Sequence, residues 1–424
     1  ANPSIPPVPC ARAHSALARA DAPHMRALLD SEGAHVFENA YCAYPDCGPS
    51  RTAMLTGLRP KTTGFTDNSA RPLEESGVWK DWTTLAKAFS NDRRFTASVG
   101  KVNHGVYGLG EFDYDSARHG PSLWCVGNSA IWCEQWWWRA YDNDAATADN
   151  ALELLDTIDG AQKGFFFALG LHKPHVPWPF EPEDWDKNAD IPDGVAADLR
   201  RHPTGARDPI AGLPMYTSGR EPGTNSWRRW GAPKLIDYAL EGPPWSLKSD
   251  GATKVLRRAY ASSVTRTDVQ LGRVMAAARA KGSWFTDNTI VIFTSDHGFA
   301  LGEAGKIGKS SLFDVMTRVP LGVVLPPAVR AAQAATRVPR RFVSLLDVYP
   351  TLMRLGGVDD GDYPSELEGV DLWAPLGQSG VRLDISTFAA TRASATGRLL
   401  PTSLAQAVYP VIDKTDGGRQ LAVE

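Results

Sequence analysis

Cys47-Gly48-Pro49-Ser50-Arg51 puts a thiol directly ahead of a proline that can occupy the first turn of a helix. Proline is favoured there because its missing N–H would be unpaired in any case. The free N–H groups and partial positive charge of a helix start make the place beside Cys47 receptive to an anion. Arg51 follows about one helical turn later and returns to the same face, and Gly57, behind Leu55 and Thr56, ends the helix. Further charged groups stand just after apolar runs: Lys101 and His104, then His172-Lys173-Pro174-His175, then Asp296-His297-Gly298, and Lys309 after a glycine-rich turn. A carboxylate and an imidazole converging at a strand end suit a metal, and carboxylate oxygen is the natural partner of a hard cation such as calcium. Two lysines, an arginine and several histidines around one spot suit an anionic substrate.

The elements that must hold these groups are readable from periodicity. Residues 23–29 form a helix with Met25, Leu28 and Leu29 on one face, and residues 34–37 a short strand leading towards Cys47. A helix spans 83–89, with Leu85, Ala88 and Phe89 inward. A strand at 95–100 delivers Lys101 and His104 at its carboxyl end, where open α/β sheets bind their ligands. A helix spans 149–158, and the fully apolar run 165–170 reads as a buried parallel strand ending at His172. A long amphipathic helix over 254–280 carries Ala259, Val264, Leu271 and Val274 inward. Strands follow at 289–294 and 319–326.

At 424 residues, with 43% hydrophobic and 22% charged, the chain has ample material for a core. A net charge of −3 gives no electrostatic case for nucleic acid or an acidic membrane. No apolar run approaches a membrane span, and the opening residues lack the basic end and apolar core of a signal peptide. Cys10, Cys42, Cys47, Cys125 and Cys133 are too few for a disulfide scaffold; Cys125 and Cys133 either pair in a small ring or remain thiols. Trp124, Trp132, Trp136, Trp137 and Trp138 crowd the loop 105–145, as a satellite core pinning the loop or as a platform for a sugar ring. The segment 177–250 reads as a functional insertion.

C-x-P-S-R followed by L-T-G resembles the signature of the type I sulfatases of the alkaline phosphatase superfamily. The H-K-P-H phrase after its strand is similar to the iduronate-2-sulfatase and choline-sulfatase branch. The likeness runs in order over about residues 23–373, and by it residues 342–352 correspond to the family's next helix. It implies an α/β fold, a mixed and mainly parallel sheet sandwiched by helices, with a sulfatase-like domain over 1–375 and a truncated C-terminal subdomain over 376–424. It also implies that Cys47 is oxidised by a formylglycine-generating enzyme, and that Cys47, Asp296 and His297 hold calcium. By the same resemblance Arg51 orients the modified residue, Lys101, Lys309 and His172 surround the sulfate, and His172 or Lys309 protonates the leaving oxygen. His104 would assist release of sulfate. The expected substrate is a sulfated carbohydrate or small alcohol, and the family setting is secreted, periplasmic or lysosomal.

Three departures stand out. Sulfatases begin with a buried strand ending in two adjacent aspartates, and before Glu32 this chain has only Asp21 and Asp30. The expectation is an incomplete chain, the alternative a lineage without the strand. Asp46 stands where the family has a small or apolar residue, which would affect modification of Cys47, and Ala304 stands where iduronate-type enzymes often have His. Two other functions therefore stay in view: a phosphate or phosphonate ester hydrolase of the same superfamily, and a non-catalytic protein that binds sulfated ligands.

Overall fold

Phe165–Gly170, expected as a buried strand, packs against cores on both faces but is half-buried along its whole length. It pairs in parallel with Phe95–Gly100, from Phe95 opposite Phe165 to Gly100 opposite Gly170. Side chains alternate across a strand, so Phe165, Phe167 and Leu169 join one core while Phe166 and Ala168 join cores on the other side. The structure, a computed structural model, describes residues 20–68, 82–92, 94–104, 112–115, 143–161, 164–175, 178, 180–191, 240–241, 246–247, 250–301, 307–327, 329, 342–358, 364, 367–372, 410–412 and 420–422. Cys10, Cys125, Cys133, the five clustered tryptophans, Ala304, most of 177–250 and the boundary expected at 375/376 lie outside the described residues.

Within those residues the chain order is α1 (Pro23–Leu29), β1 (Ala34–Val36), β2 (Asn39–Tyr41), α2 (Cys47–Thr56), α3 (Leu85–Asn91), β3 (Phe95–Gly100), β4 (Tyr114–Asp115), α4 (Asn143–Ala161), β5 (Phe165–Gly170), α5 (Asp250–Ala280), β6 (Val291–Thr294), β7 (Arg318–Val319), β8 (Leu321–Val324), β9 (Phe342–Ser344) and α6 (Val348–Leu355). A parallel unit runs β4-β3-β5, an antiparallel unit β1-β8-β6, and a mixed unit β7-β2-β9 with β9 parallel to β2. The architecture is α/β. Beyond it, Pro410–Ile412 and Gln420–Ala422 form an antiparallel pair.

Helices cover the parallel unit on both faces. Ala148, Ala151, Leu154, Leu155 and Ile158 of α4 pack with Val274 and Ala278 of α5 against Ala97 and Val99. Leu85, Ala88 and Phe89 of α3 meet Tyr349 and Met353 of α6, with Phe166 against them. Met25, Leu28 and Leu29 of α1 are buried as their spacing requires, as are Ala259, Val264, Leu271 and Val274 of α5. No described helix is long and apolar enough to cross a membrane.

Two segments differ from the sequence-based expectation. Residues 342–344 are a strand and 345–347 a 3-10 turn, so α6 starts only at Val348. Val343 finds a parallel partner in Ala40, and the Ser344 side chain caps the turn by accepting from the Leu346 N–H at 3.3 Å. The strand expected over 319–326 is split at Pro320, which has no N–H for a ladder. Its two parts, β7 and β8, pair in different units.

Candidate active site

The extended backbone of Asp46 ends one segment and caps the next. Its carboxylate accepts from the Cys47 N–H at 2.9 Å, satisfying one of the unpaired donors of α2. Pro49 lies in the first turn, and Gly57 closes the helix at φ 68° with its N–H donating to the Ala53 carbonyl at 2.9 Å. A Cβ on Gly57 would stand 2.5 Å from Leu367 Cδ2. Asn68 reinforces the cap: its Oδ1 accepts from the Gly48 N–H at 2.7 Å, and its Nδ2 donates to Asp46 Oδ1 at 2.6 Å.

Arg51, one turn into α2, ties the ends of two strands to Cys47's helix. Its Nε donates to Asp296 Oδ2 at 2.8 Å, and its Nη1 donates to the carbonyls of Lys101 and of Val102, the latter at 3.1 Å. The Ser50 hydroxyl donates to the Asp296 carbonyl at 2.5 Å. Asp296 and His297 follow β6, and Gly298 lets the chain press against Val315, whose carbonyl oxygen would lie 2.1 Å from a Cβ. The Ser310 N–H donates to the Pro45 carbonyl at 2.8 Å, bringing Lys309 to the start of α2.

Cys47 is where these groups meet. Lys309 Nζ lies 2.7 Å from its Sγ, His297 Nε2 3.2 Å and Lys101 Nζ 3.6 Å. Burial alone would push the Cys47 thiol up, but the charges of Lys101, His297 and Lys309, with a hydrogen bond from His104, hold it well below its ordinary value. Burial opposes the charge on Lys309 as well. The negative charges of Cys47 and Asp46 overcome that, and its ammonium is held above the usual lysine range. Desolvation alone would raise the largely shielded Asp296, yet Arg51 and His297 lower its carboxyl to about 2. Desolvation lowers Lys101, while the nearby thiolate and Asp296 act the other way.

His172 stands after β5 in a turn held by Asp144, whose carboxylate accepts from the His172 N–H at 2.5 Å and the Lys173 N–H at 3.0 Å. Its ring stacks on His175 with centroids 4.8 Å apart. Burial first, then the charges of Lys101, Lys173 and His175, press its pKa well below 6.5, so the ring is neutral. The structure therefore brings Cys47, Arg51, Lys101, His104, Asp296, His297 and Lys309 into one cluster, with His172 in its electrostatic field. Sequence reading missed Asn68 and Asp144, and took Asp46 only as a departure. The serviceable signal was Asp46 itself, an N-cap residue type immediately before a helix start.

Calcium takes six to eight oxygen ligands. The carboxylates that the described residues bring to Cys47 are those of Asp46 and Asp296, and Arg51 already binds Oδ2 of the second. These oxygens do not make a calcium shell.

Residues 12–358 match the family model described as Sulfatase. A sulfatase of Formosa agariphila is 30% identical over 76% of this chain and 62% of its own length. Mouse iduronate 2-sulfatase is 27% identical over 78% of this chain and 64% of its own. The chain thus spans less than two thirds of the length of these relatives. A solved structure in complex with its substrate D-glucosamine-2-N,6-O-disulfate superposes with a TM-score of 0.58 at 21% identity, covering 83% of this chain and 74% of that one. At that identity the likeness speaks for the fold.

Proposed function

The chain belongs to the sulfatase family, and on that premise we propose that it hydrolyses a sulfate ester of a carbohydrate or small alcohol at a nucleophile made from Cys47. The observation that carries this reading is the packing of Lys309, His297 and Lys101 around one buried sulfur at a helix start. Such a cluster favours an anion and stabilises charge that grows on its oxygens in the transition state. Membership implies a divalent metal and conversion of the cysteine to formylglycine, for which a formylglycine-generating enzyme is the partner. Formylglycine would supply a hydrated aldehyde oxygen in place of Sγ as the attacking atom. Calcium lacks its oxygen ligands among the described residues.

The chain's own groups divide the remaining work. Arg51 fixes the start of the strand-end loops through Asp296 and the Lys101 and Val102 carbonyls. Lys101 and Lys309 supply positive charge to the sulfuryl oxygens. His172 is held neutral and the Lys309 ammonium is held more tightly protonated than an ordinary lysine, so His172 or Lys309 is the proposed proton source for the leaving alcohol. His104, hydrogen-bonded at Cys47, is the proposed base for sulfate release.

The experiment is a side-by-side rate comparison on an aryl sulfate and an aryl phosphonate, with chain produced alongside the cysteine-oxidising enzyme. Faster turnover of the sulfate, lost in Cys47→Ser, supports the reading. Faster turnover of the phosphonate replaces it with the ester-hydrolase alternative, and no turnover of either favours the binding protein.

A further inference from the structure

Ser310 has two features that a linking residue does not need. Its φ is 67°, a left-handed conformation that among the described residues is otherwise taken only by glycine and that is costly for a residue with a Cβ. Its hydroxyl oxygen is closed off from solvent and has no hydrogen-bond partner. A buried hydroxyl left unpaired costs the fold free energy. Glycine would make the same turn without either cost.

The surroundings say what the hydroxyl can serve. A short hairpin of Ala300–Leu301 with Ile307–Gly308 carries the chain from His297 back to Lys309. The Ser310 N–H then donates to the Pro45 carbonyl at 2.8 Å, one residue before Asp46 caps α2. On its other side stands Lys309, whose Nζ lies 2.7 Å from Cys47 Sγ. Ser310 is therefore fixed between an ammonium and the start of a helix, two places that favour an anion. Asn103 Oδ1, in the segment between Lys101 and His104, is also buried without a partner. An amide oxygen only accepts, as a sulfuryl oxygen does, so Asn103 Oδ1 cannot serve one; a hydroxyl can donate to it.

We propose, resting on the sulfate-ester reading above, that Ser310 is a further substrate-contacting residue, its hydroxyl donating to a sulfuryl oxygen of the bound ester beside the Lys309 ammonium. The ester gives the hydroxyl the partner that the fold withholds. The donor is neutral, so it adds no repulsion to Lys101 and Lys309, and its bond strengthens as charge grows on the sulfuryl oxygens.

The test uses the full chain produced alongside the cysteine-oxidising enzyme, with inorganic sulfate titrated by calorimetry and an aryl sulfate assayed for kcat and KM. Ser310→Ala removes the hydroxyl alone; Ser310→Gly removes it and frees the backbone as well. The melting temperature of Ser310→Ala should be no lower than that of the wild type, and that of Ser310→Gly higher. Both variants should bind inorganic sulfate roughly threefold to tenfold more weakly, the worth of one neutral hydrogen bond. Both should lose about tenfold or more in kcat/KM on the aryl sulfate. Wild-type sulfate affinity in Ser310→Ala, a lowered melting temperature in that variant, or no sulfate binding by the wild-type chain would each overturn the proposal. If the chain turns over no ester yet the variants bind sulfate more weakly, the contact stands and the hydrolase reading falls.

Discussion

Lys309 Nζ lies 2.8 Å from Asp46 Oδ1, an ion pair with both side chains largely shielded from water, at 17% and 14% exposure. The same carboxylate caps α2. One residue therefore sets both the start of the helix that carries Cys47 and the position of the ammonium over its sulfur. Asp46 is a positioning residue, and two substitutions separate its two tasks.

Asp46→Ala removes cap and ion pair together and should cost about 1 kcal/mol or more of stability. Asp46→Asn keeps a good cap residue but loses the charge. Thermal melts should show Asp46→Asn closer to the wild type, while kcat on an aryl sulfate falls in both variants. Equal melting temperatures for the two would remove the capping role.

Lys309→Ala should lower kcat/KM on an aryl sulfate by roughly 10²–10³-fold, the usual loss when a donor to developing charge is deleted. Lys309→Arg keeps the charge but not the point geometry, and is expected to recover only part of the rate. A change in KM alone, with kcat intact, would assign Lys309 to ground-state binding instead.

Asp296 ties acid stability to Arg51. Its folded-state carboxyl titrates at about 2, below its ordinary 3.8. A depressed carboxyl stabilises the fold fully above the unfolded value and loses that contribution as pH falls through the folded one. The melting difference between wild type and Asp296→Asn should be largest near pH 5 and shrink from pH 4 to pH 2, by on the order of 2 kcal/mol. A difference independent of pH in that window contradicts the assignment.

Gly57→Ala should destabilise the chain by at least about 1–2 kcal/mol, because a left-handed φ disfavours a Cβ. The contact with Leu367 adds to this cost. The melting temperature should drop with KM unchanged, since Gly57 stands at the far end of α2 from Cys47.

Much of the site was legible because charged groups follow apolar runs directly: Lys101 after β3, His172 after β5, Asp296 and His297 after β6. The apolar run carried Phe165–Gly170 as a parallel strand packed on both faces, although it is half-buried rather than fully buried along its length. Asn68 and Asp144 were not legible, because each acts on backbone 20 to 28 residues away and nothing local marks it. Residues 342–352 are expected as a helix because they resemble a helix of the sulfatases, and they form one only from Val348. The pairing of Phe342–Ser344 with Asn39–Tyr41, some three hundred residues distant, decides that part as a strand.

Cys47 is proposed above as the source of the nucleophile of a sulfate-ester hydrolase. The most direct measurement is peptide mass spectrometry of the segment containing Cys47, from chain produced with a formylglycine-generating enzyme and assayed on an aryl sulfate. The expected result is an aldehyde at position 47 in the turning-over preparation, with activity rising in proportion to the converted fraction. Sulfate-ester turnover by chain in which position 47 remains entirely cysteine would contradict it.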